Sequence, residues 1–135
     1  MNESLQKSAL GLEGNLAAAL GYPIGIIGLI SFIIEKQNHF VKFHGIQSIL
    51  FSVGFWIVYT VAFIVLLILS FILGMVSSTL ATLVGILTSL LALVCFLIWF
   101  LCLLYFAYKA YQGQMFKLPV VGNLAEKLAG GGAIQ

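Results

Sequence analysis

Polar and apolar positions fall into long blocks along this chain instead of alternating. A mixed head at residues 1–15 is followed by an apolar run at 16–34 and a polar segment at 35–44. From residue 45 to residue 108 there is no Asp, Glu, Lys, Arg or His, and a mixed tail closes the chain. A run of about 20 apolar residues crosses a hydrocarbon core roughly 30 Å thick as a helix, so the uncharged stretch holds at least two crossings. Turn chemistry sets the number. Gly74, Met75, Val76, Ser77, Ser78 and Thr79 form one small, partly polar cluster, whereas three passes need two turns. The pattern predicts crossings at 45–73 and 80–108 joined by a tight hairpin at 77–79. Each is about 43 Å long at 1.5 Å per residue and must tilt or project into the interface. Antiparallel pairing puts Trp56 and Trp99 in one layer.

The run at 16–34 predicts a first crossing. Pro23 removes the hydrogen bond to the carbonyl four residues earlier and kinks it near Ala19. Gly21, Gly25 and Gly28 make a flat side on which another helix can pack. The predicted fold is all-α: an integral membrane three-helix bundle, one kinked crossing plus a long antiparallel helical hairpin, with a short interfacial loop and tail.

The polar segments supply the rest. The head reads as helical, with Ser4 as a cap. In the 35–44 loop, Phe40, Val41 and Phe43 interleave with Lys36, His39 and Lys42. Such a mixture suits the headgroup layer, where Lys36 and Lys42 meet anionic lipid at roughly 1 kcal/mol each. Tyr105, Tyr108, Lys109 and Tyr111 form an aromatic and basic collar, and Gln112 with Gly113 ends the helix. The membrane domain thus spans 16–122, with a tail motif at 109–122. Residues 123–135 form a short helix capped by Asn123 and a loose end at Gly130, Gly131 and Gly132. Three crossings place Lys36, Lys42, Lys109, Lys117 and Lys127 on one side and Lys7 on the other. Lysine bias then predicts a cytoplasmic (inner) membrane protein with its N-terminus outside and its C-terminus in the cytosol.

Composition agrees with a bilayer: 62% of residues are hydrophobic and 7% charged. Chemistry has few places to reside. The chain has no Asp or Arg, and its glutamates lie at membrane edges or in the tails, so paired-carboxylate catalysis lacks a buried location. His39 and His44 are five apart, a poor helical spacing for a shared metal, with no cysteine nearby. Cys95 and Cys102 lie about 10 Å apart along one helix, too far for a disulfide. No catalytic, cofactor or metal residue is assigned, and nothing points to nucleic acid. A polar interaction cluster is expected where His44 and Gln47, three apart on one helical face, meet the returning tail with Lys42, Lys109, Tyr111 and Gln112. Buried Gln47 and His44 need partners, and finding them on the tail would lock loop to tail.

The motif running from Glu35 through Lys36, Gln37, Asn38, His39, Phe40, Val41, Lys42, Phe43, His44, Gly45, Ile46 and Gln47 to Ser48 is followed, after two long crossings, by two more. These are Lys109-Ala110-Tyr111-Gln112-Gly113 and Phe116-Lys117-Leu118-Pro119-Val120-Val121-Gly122. Together they resemble an uncharacterised family of small multi-pass membrane proteins of bacteria and archaea, grouped with the twenty-kilodalton chloroplast inner-envelope import component. The resemblance implies a multi-pass helical fold and, through the plant relative, a link to protein transport. That relative is drawn with four crossings, against three here.

The expected function is that of a non-enzymatic scaffold or accessory subunit, partnered by lipids and by other membrane subunits or itself. The alternatives are a homo-oligomeric channel or protein-translocation element, and a membrane-embedded enzyme or cofactor-binding subunit using His44.

Overall fold

A computed structural model describes residues 2–130 and is all-helical. Helices α1 (Gly14–Leu20), α2 (Gly25–Ile34), α3 (His39–Val76), α4 (Ser78–Tyr111) and α5 (Val121–Gly130) follow a short 3-10 turn at Glu3–Leu5. Of the expected loose end, Gly131 and Gly132 lie outside the described residues. The chain divides into two compact units, one at Val53–Phe100, the other formed by its two flanks.

The Val53–Phe100 unit is an antiparallel helical hairpin. Its turn is a single non-helical residue, Ser77, whose N–H bonds Leu73 O (2.8 Å) and whose carbonyl accepts from Ala81 N (3.1 Å). The helices approach closely beside it because Gly74 has no side chain: a Cβ there would lie 3.4 Å from that of Ala81. Farther along, Trp56 and Trp99 meet with ring centroids 5.6 Å apart, and Phe55 stacks on Trp99. Scattered hydroxyls are internally satisfied, Thr82 on Ser78 O and Ser89 on Gly85 O. The outward side chains are aliphatic and aromatic and bare, with Val58 70% and Phe71 73% exposed. Such a continuous apolar surface has lipid as its solvent. Both α3 and α4 are long and apolar enough to span a bilayer, the only two such helices among the described residues.

In the other unit the expected kink is a full break. Lacking an N–H, Pro23 cannot bond Ala19 O, which accepts instead from Tyr22 N (3.3 Å). The chain then reverses over residues 21–24. A Cβ on Gly21 would sit 3.2 Å from Gly28 Cα, two positions about 10 Å apart in a straight helix. Neither α1 nor α2 is long enough to cross; α2 measures about 15 Å, half a hydrocarbon core. Gly28 also abuts α3, since a Cβ there would meet Ser48 Oγ at 2.5 Å, and one on Gly45 would meet Gly28 O at 2.7 Å. Gly25 faces open space.

This reversal corrects the sidedness read from the sequence. Asn38 Nδ2 donates to Glu3 O (2.7 Å) and Gln6 O (3.2 Å), and Ala9 N donates to Glu35 Oε2 (2.7 Å). Asn15 Nδ2 donates to Tyr111 O (3.1 Å). A bilayer cannot lie between groups in hydrogen-bond contact, so the expected arrangement with the head outside and the tail in the cytosol, on opposite sides of the membrane, does not hold. Residues 2–13 are also not the expected α-helix; they contain the 3-10 turn, with Asn2 and not Ser4 as its cap (Ser4 N to Asn2 Oδ1, 3.5 Å).

Two outcomes follow from this geometry. In a background with Cys95 and Cys102 replaced by Ala, Leu5→Cys and Tyr111→Cys should label with an impermeant maleimide from the same side of sealed vesicles; labelling of the two from opposite sides would refute the arrangement. Gly45→Ala should lower stability by about 1–3 kcal/mol through overpacking, whereas Gly25→Ala should be neutral or slightly stabilising, as thermal unfolding in detergent would reveal.

Candidate functional site

The candidate site is a buried polar chain linking the α1–α2 turn, α3 and the tail. Tyr22, His44 and Gln47 are each no more than 2% exposed. Gln47 Nε2 donates to Tyr22 Oη (2.8 Å) and to Phe116 O (2.9 Å), while Gln47 Oε1 accepts from Leu118 N (3.1 Å). Tyr22 Oη pairs with His44 Nδ1 (2.9 Å), and His44 Nε2 with Gln114 O (3.1 Å). A carbonyl only accepts, so Nε2 carries the proton; Nδ1 accepts from the Tyr22 hydroxyl, which in turn accepts from Gln47. Every polar side-chain atom of the three residues has a partner, and the imidazole is walled by the rings of Phe40, Phe43 and Tyr22.

Local sequence explains why the tail arrives in this register. Gly113 ends α4 with φ 73°. Its N–H bonds Ala110 O (2.9 Å), and Gln114 N bonds Lys109 O (3.1 Å), the paired bonds of a Schellman motif. Residues 114–118 then run without helix. Gln47 takes Phe116 O and Leu118 N, the same pair that a parallel neighbouring strand would engage, so its carboxamide stands in for a strand's peptide group. Lys117, between them, pairs with Glu126 of α5 (2.8 Å). At Val120 the backbone has φ 66°, unusual for a β-branched residue. The turn brings Gly122 against Gln47, where a Cβ would be 3.0 Å from Oε1. α5 then docks through its small residues, Ala125 and Ala129 packing on Phe43 and Ile46.

A second polar cluster holds the start of α3. Asn38 caps it, accepting Val41 N (3.1 Å), and Glu3 Oε2 accepts Phe40 N (3.1 Å). Glu35 accepts from Gln37, Asn38 and Ala9 backbone amides. Carboxylates at a helix N-terminus are favoured by its dipole.

Of the residues singled out in the sequence, His44 and Gln47 lie in the network and contact the tail backbone. Lys42 is half-buried beside it without a hydrogen bond to it. Lys109 lies over the Tyr105 ring, 5.7 Å from its centroid. Tyr111 contributes only its carbonyl, and Gln112 Oε1 accepts from Gln114 Nε2 (3.2 Å). Gly21 and Gly28 pack on each other, and Gly25 is exposed. Tyr22, Asn38, Glu3 and Glu35 were missed. For Tyr22 a signal existed: it is a lone phenol in an otherwise aliphatic run, beside the proline that breaks it. Among the described residues no group of three or more His, Cys, Asp or Glu side chains could hold a metal ion.

These features define a helical membrane protein with two spanning helices and a polar unit tied together by side-chain to backbone bonds. The chain belongs to the magnetosome magnetite crystal formation protein family, whose model matches residues 8–125. It is 38% identical over 122 residues to a UPF0132 membrane protein of Methanocaldococcus jannaschii, covering 90% of this chain and 93% of the relative. A UPF0132 membrane protein of Archaeoglobus fulgidus is also 38% identical over 122 residues, covering 89% and 99%. A second Methanocaldococcus jannaschii protein of that type is 32% identical over 128 residues, covering 94% and 78%. No solved structure matches the chain.

Gln47→Leu strands Phe116 O and Leu118 N–H and removes the donor to the Tyr22 hydroxyl, which keeps its bond to His44, at a cost of about 1–3 kcal/mol for the unmet groups. The Leu118 amide should then exchange with deuterium at least about tenfold faster, while Tyr111→Ala, which leaves these bonds intact, should not change it. Unaltered exchange in Gln47→Leu would show that the carboxamide does not hold the tail.

Proposed function

We propose that this protein is a non-enzymatic scaffold or accessory subunit of a membrane assembly, with both termini in the cytosol. The observation that carries this reading is the closed hydrogen-bond inventory of Tyr22, His44 and Gln47: no lone pair or proton of the His44 imidazole is left for a substrate, so its work is to hold the tail. Sidedness rests on charge. All six lysines lie outside the Val53–Phe100 hairpin, and lysine-rich flanks stay cytosolic. The latched tail presents Leu124 and Leu128 of α5, each about half exposed, beside Lys127, a surface suited to another membrane subunit or a second copy.

The family's name ties its members to magnetite crystal formation. In this chain three of the four glutamates are engaged internally, Glu3 and Glu35 with backbone amides and Glu126 with Lys117, and among the described residues no group of three or more His, Cys, Asp or Glu could hold a metal ion, so a contribution to such a process would come through organising the membrane and its partners. The rival is a homo-oligomeric channel or translocation element, the role that a resemblance to the chloroplast import component would imply. The two readings separate in sealed vesicles. Proteoliposomes of the purified chain should retain an entrapped dye as long as protein-free vesicles do. Release that scales with the amount of reconstituted protein would overturn the scaffold reading in favour of the channel.

A further inference from the structure

We propose that the cleft between the head and the loop after α2 binds an anionic phospholipid, its phosphate held by Lys7 and Lys36 and its acyl chains lying along α2. The cleft has a volume of about 290 Å³. Lys7, Ser8 and Ala9 form one wall, and Ile34, Glu35 and Lys36 the other. The head reaches this place only because the chain reverses at Pro23, so Lys7 joins Lys36 instead of lying across the membrane from it.

The charge balance selects the headgroup. The cleft lining holds two ammonium groups and one carboxylate, one net positive charge; Glu13, which faces Lys7 across an isolated antiparallel bridge, is not part of that lining and makes no salt bridge among the described residues. Glu35 is already satisfied: its oxygens accept the backbone amides of Ala9 (2.7 Å), Gln37 (3.3 Å) and Asn38 (3.1 Å), which fix the carboxylate against the backbone. Among the described residues neither Lys7 nor Lys36 is salt-bridged, and both are exposed. A phosphodiester with a neutral headgroup carries the one negative charge this arrangement lacks.

The apolar side of the cleft selects a lipid over a soluble phosphate. Ile34 lines the cleft and also belongs to α2, where Ile26 and Ile33 are both 65% exposed and Ile30 lies between them. Positions 26, 30, 33 and 34 share one helical face, giving an aliphatic strip that begins at the cleft. A helix of about 15 Å matches the depth of one leaflet. Only an amphiphile uses both the ammonium pair and the strip.

The test uses the full chain purified in a neutral detergent, with native mass spectrometry for binding and thermal unfolding for linkage. Phosphatidylglycerol should remain bound and raise Tm, whereas phosphatidylcholine and millimolar inorganic phosphate should do neither. Lys7→Gln with Lys36→Gln should weaken phosphatidylglycerol binding by at least about tenfold, and Lys109→Gln with Lys127→Gln should leave it unchanged. Lys7→Arg with Lys36→Arg should retain it, which separates loss of charge from loss of fold. Equal retention of phosphatidylcholine, or wild-type binding by the Lys7→Gln, Lys36→Gln protein, would overturn the site. A lysine-dependent rise in Tm with inorganic phosphate alone would overturn the lipid assignment in favour of free phosphate. None of these readouts depends on whether the protein is a scaffold or a channel.

Discussion

Burying the Gln47 carboxamide is the constraint from which the polar unit follows. A primary amide removed from water offers two protons and an acceptor oxygen, and each one left unmet costs about as much as a hydrogen bond gains or more. Three partners must therefore be delivered to one point on α3. They come from separate parts of the chain: Tyr22 from the α1–α2 turn, and Phe116 O and Leu118 N from the tail. Meeting that demand requires the N-terminal segment to turn back at Pro23 and the tail to turn at Gly113. The two bends are one solution to one desolvation problem.

Glycine makes the solution sterically possible. Side chains at 28 or 45 would separate α2 from α3, and Tyr22 would no longer reach Gln47. At Gly122 the same logic admits α5, whose alanines then fill the space beside Phe43 and Ile46. That packing offsets the left-handed backbone at Val120, which a β-branched residue does not adopt without cost. Close packing and polar satisfaction thus support each other: neither the bonds to residues 116 and 118 nor the docked helix would persist with the other removed.

The sequence made the long helices legible because lipid selects on a coarse property. An uncharged run of that length has one physical interpretation, and the clustered Gly, Ser and Thr at 74–79 marked the turn. Trp56 and Trp99 met as the antiparallel pairing required. Helix ends were less legible, since the polar residues 39–44 continue α3 once Asn38 and Glu3 cap it, a tertiary event invisible to local pattern. Pro23 was read as a bend because proline alone does not distinguish kink from reversal. The reversal depends on Gly21 and Gly28 being on the chain at the spacing that lets the two arms touch. Gln47 and His44 stood out as polar residues at a membrane edge, but their partners are mostly main-chain atoms, which have no sequence signature. Sidedness failed for a related reason: counting crossings assumes that every apolar run spans, and one of 10 helical residues does not.

The distribution of charge now has a single cause. A lysine or glutamate in the Val53–Phe100 hairpin would have neither water nor a buried partner, so all ten ionised side chains counted as Lys and Glu are confined to the flanks. Within those flanks the carboxylates are largely spent on the chain itself, Glu3 and Glu35 on backbone amides and Glu126 on Lys117. The lysines are not matched in the same way, and the surplus gives the formal charge of +2. With three of the four carboxylates engaged within the chain and Lys117 the one lysine in a salt bridge among the described residues, the flanks present a positive face to whatever lies beside them. In a bilayer the abundant anion at that depth is the lipid phosphate, and among the described residues neither Lys7 nor Lys36 has a salt bridge that would compete with it.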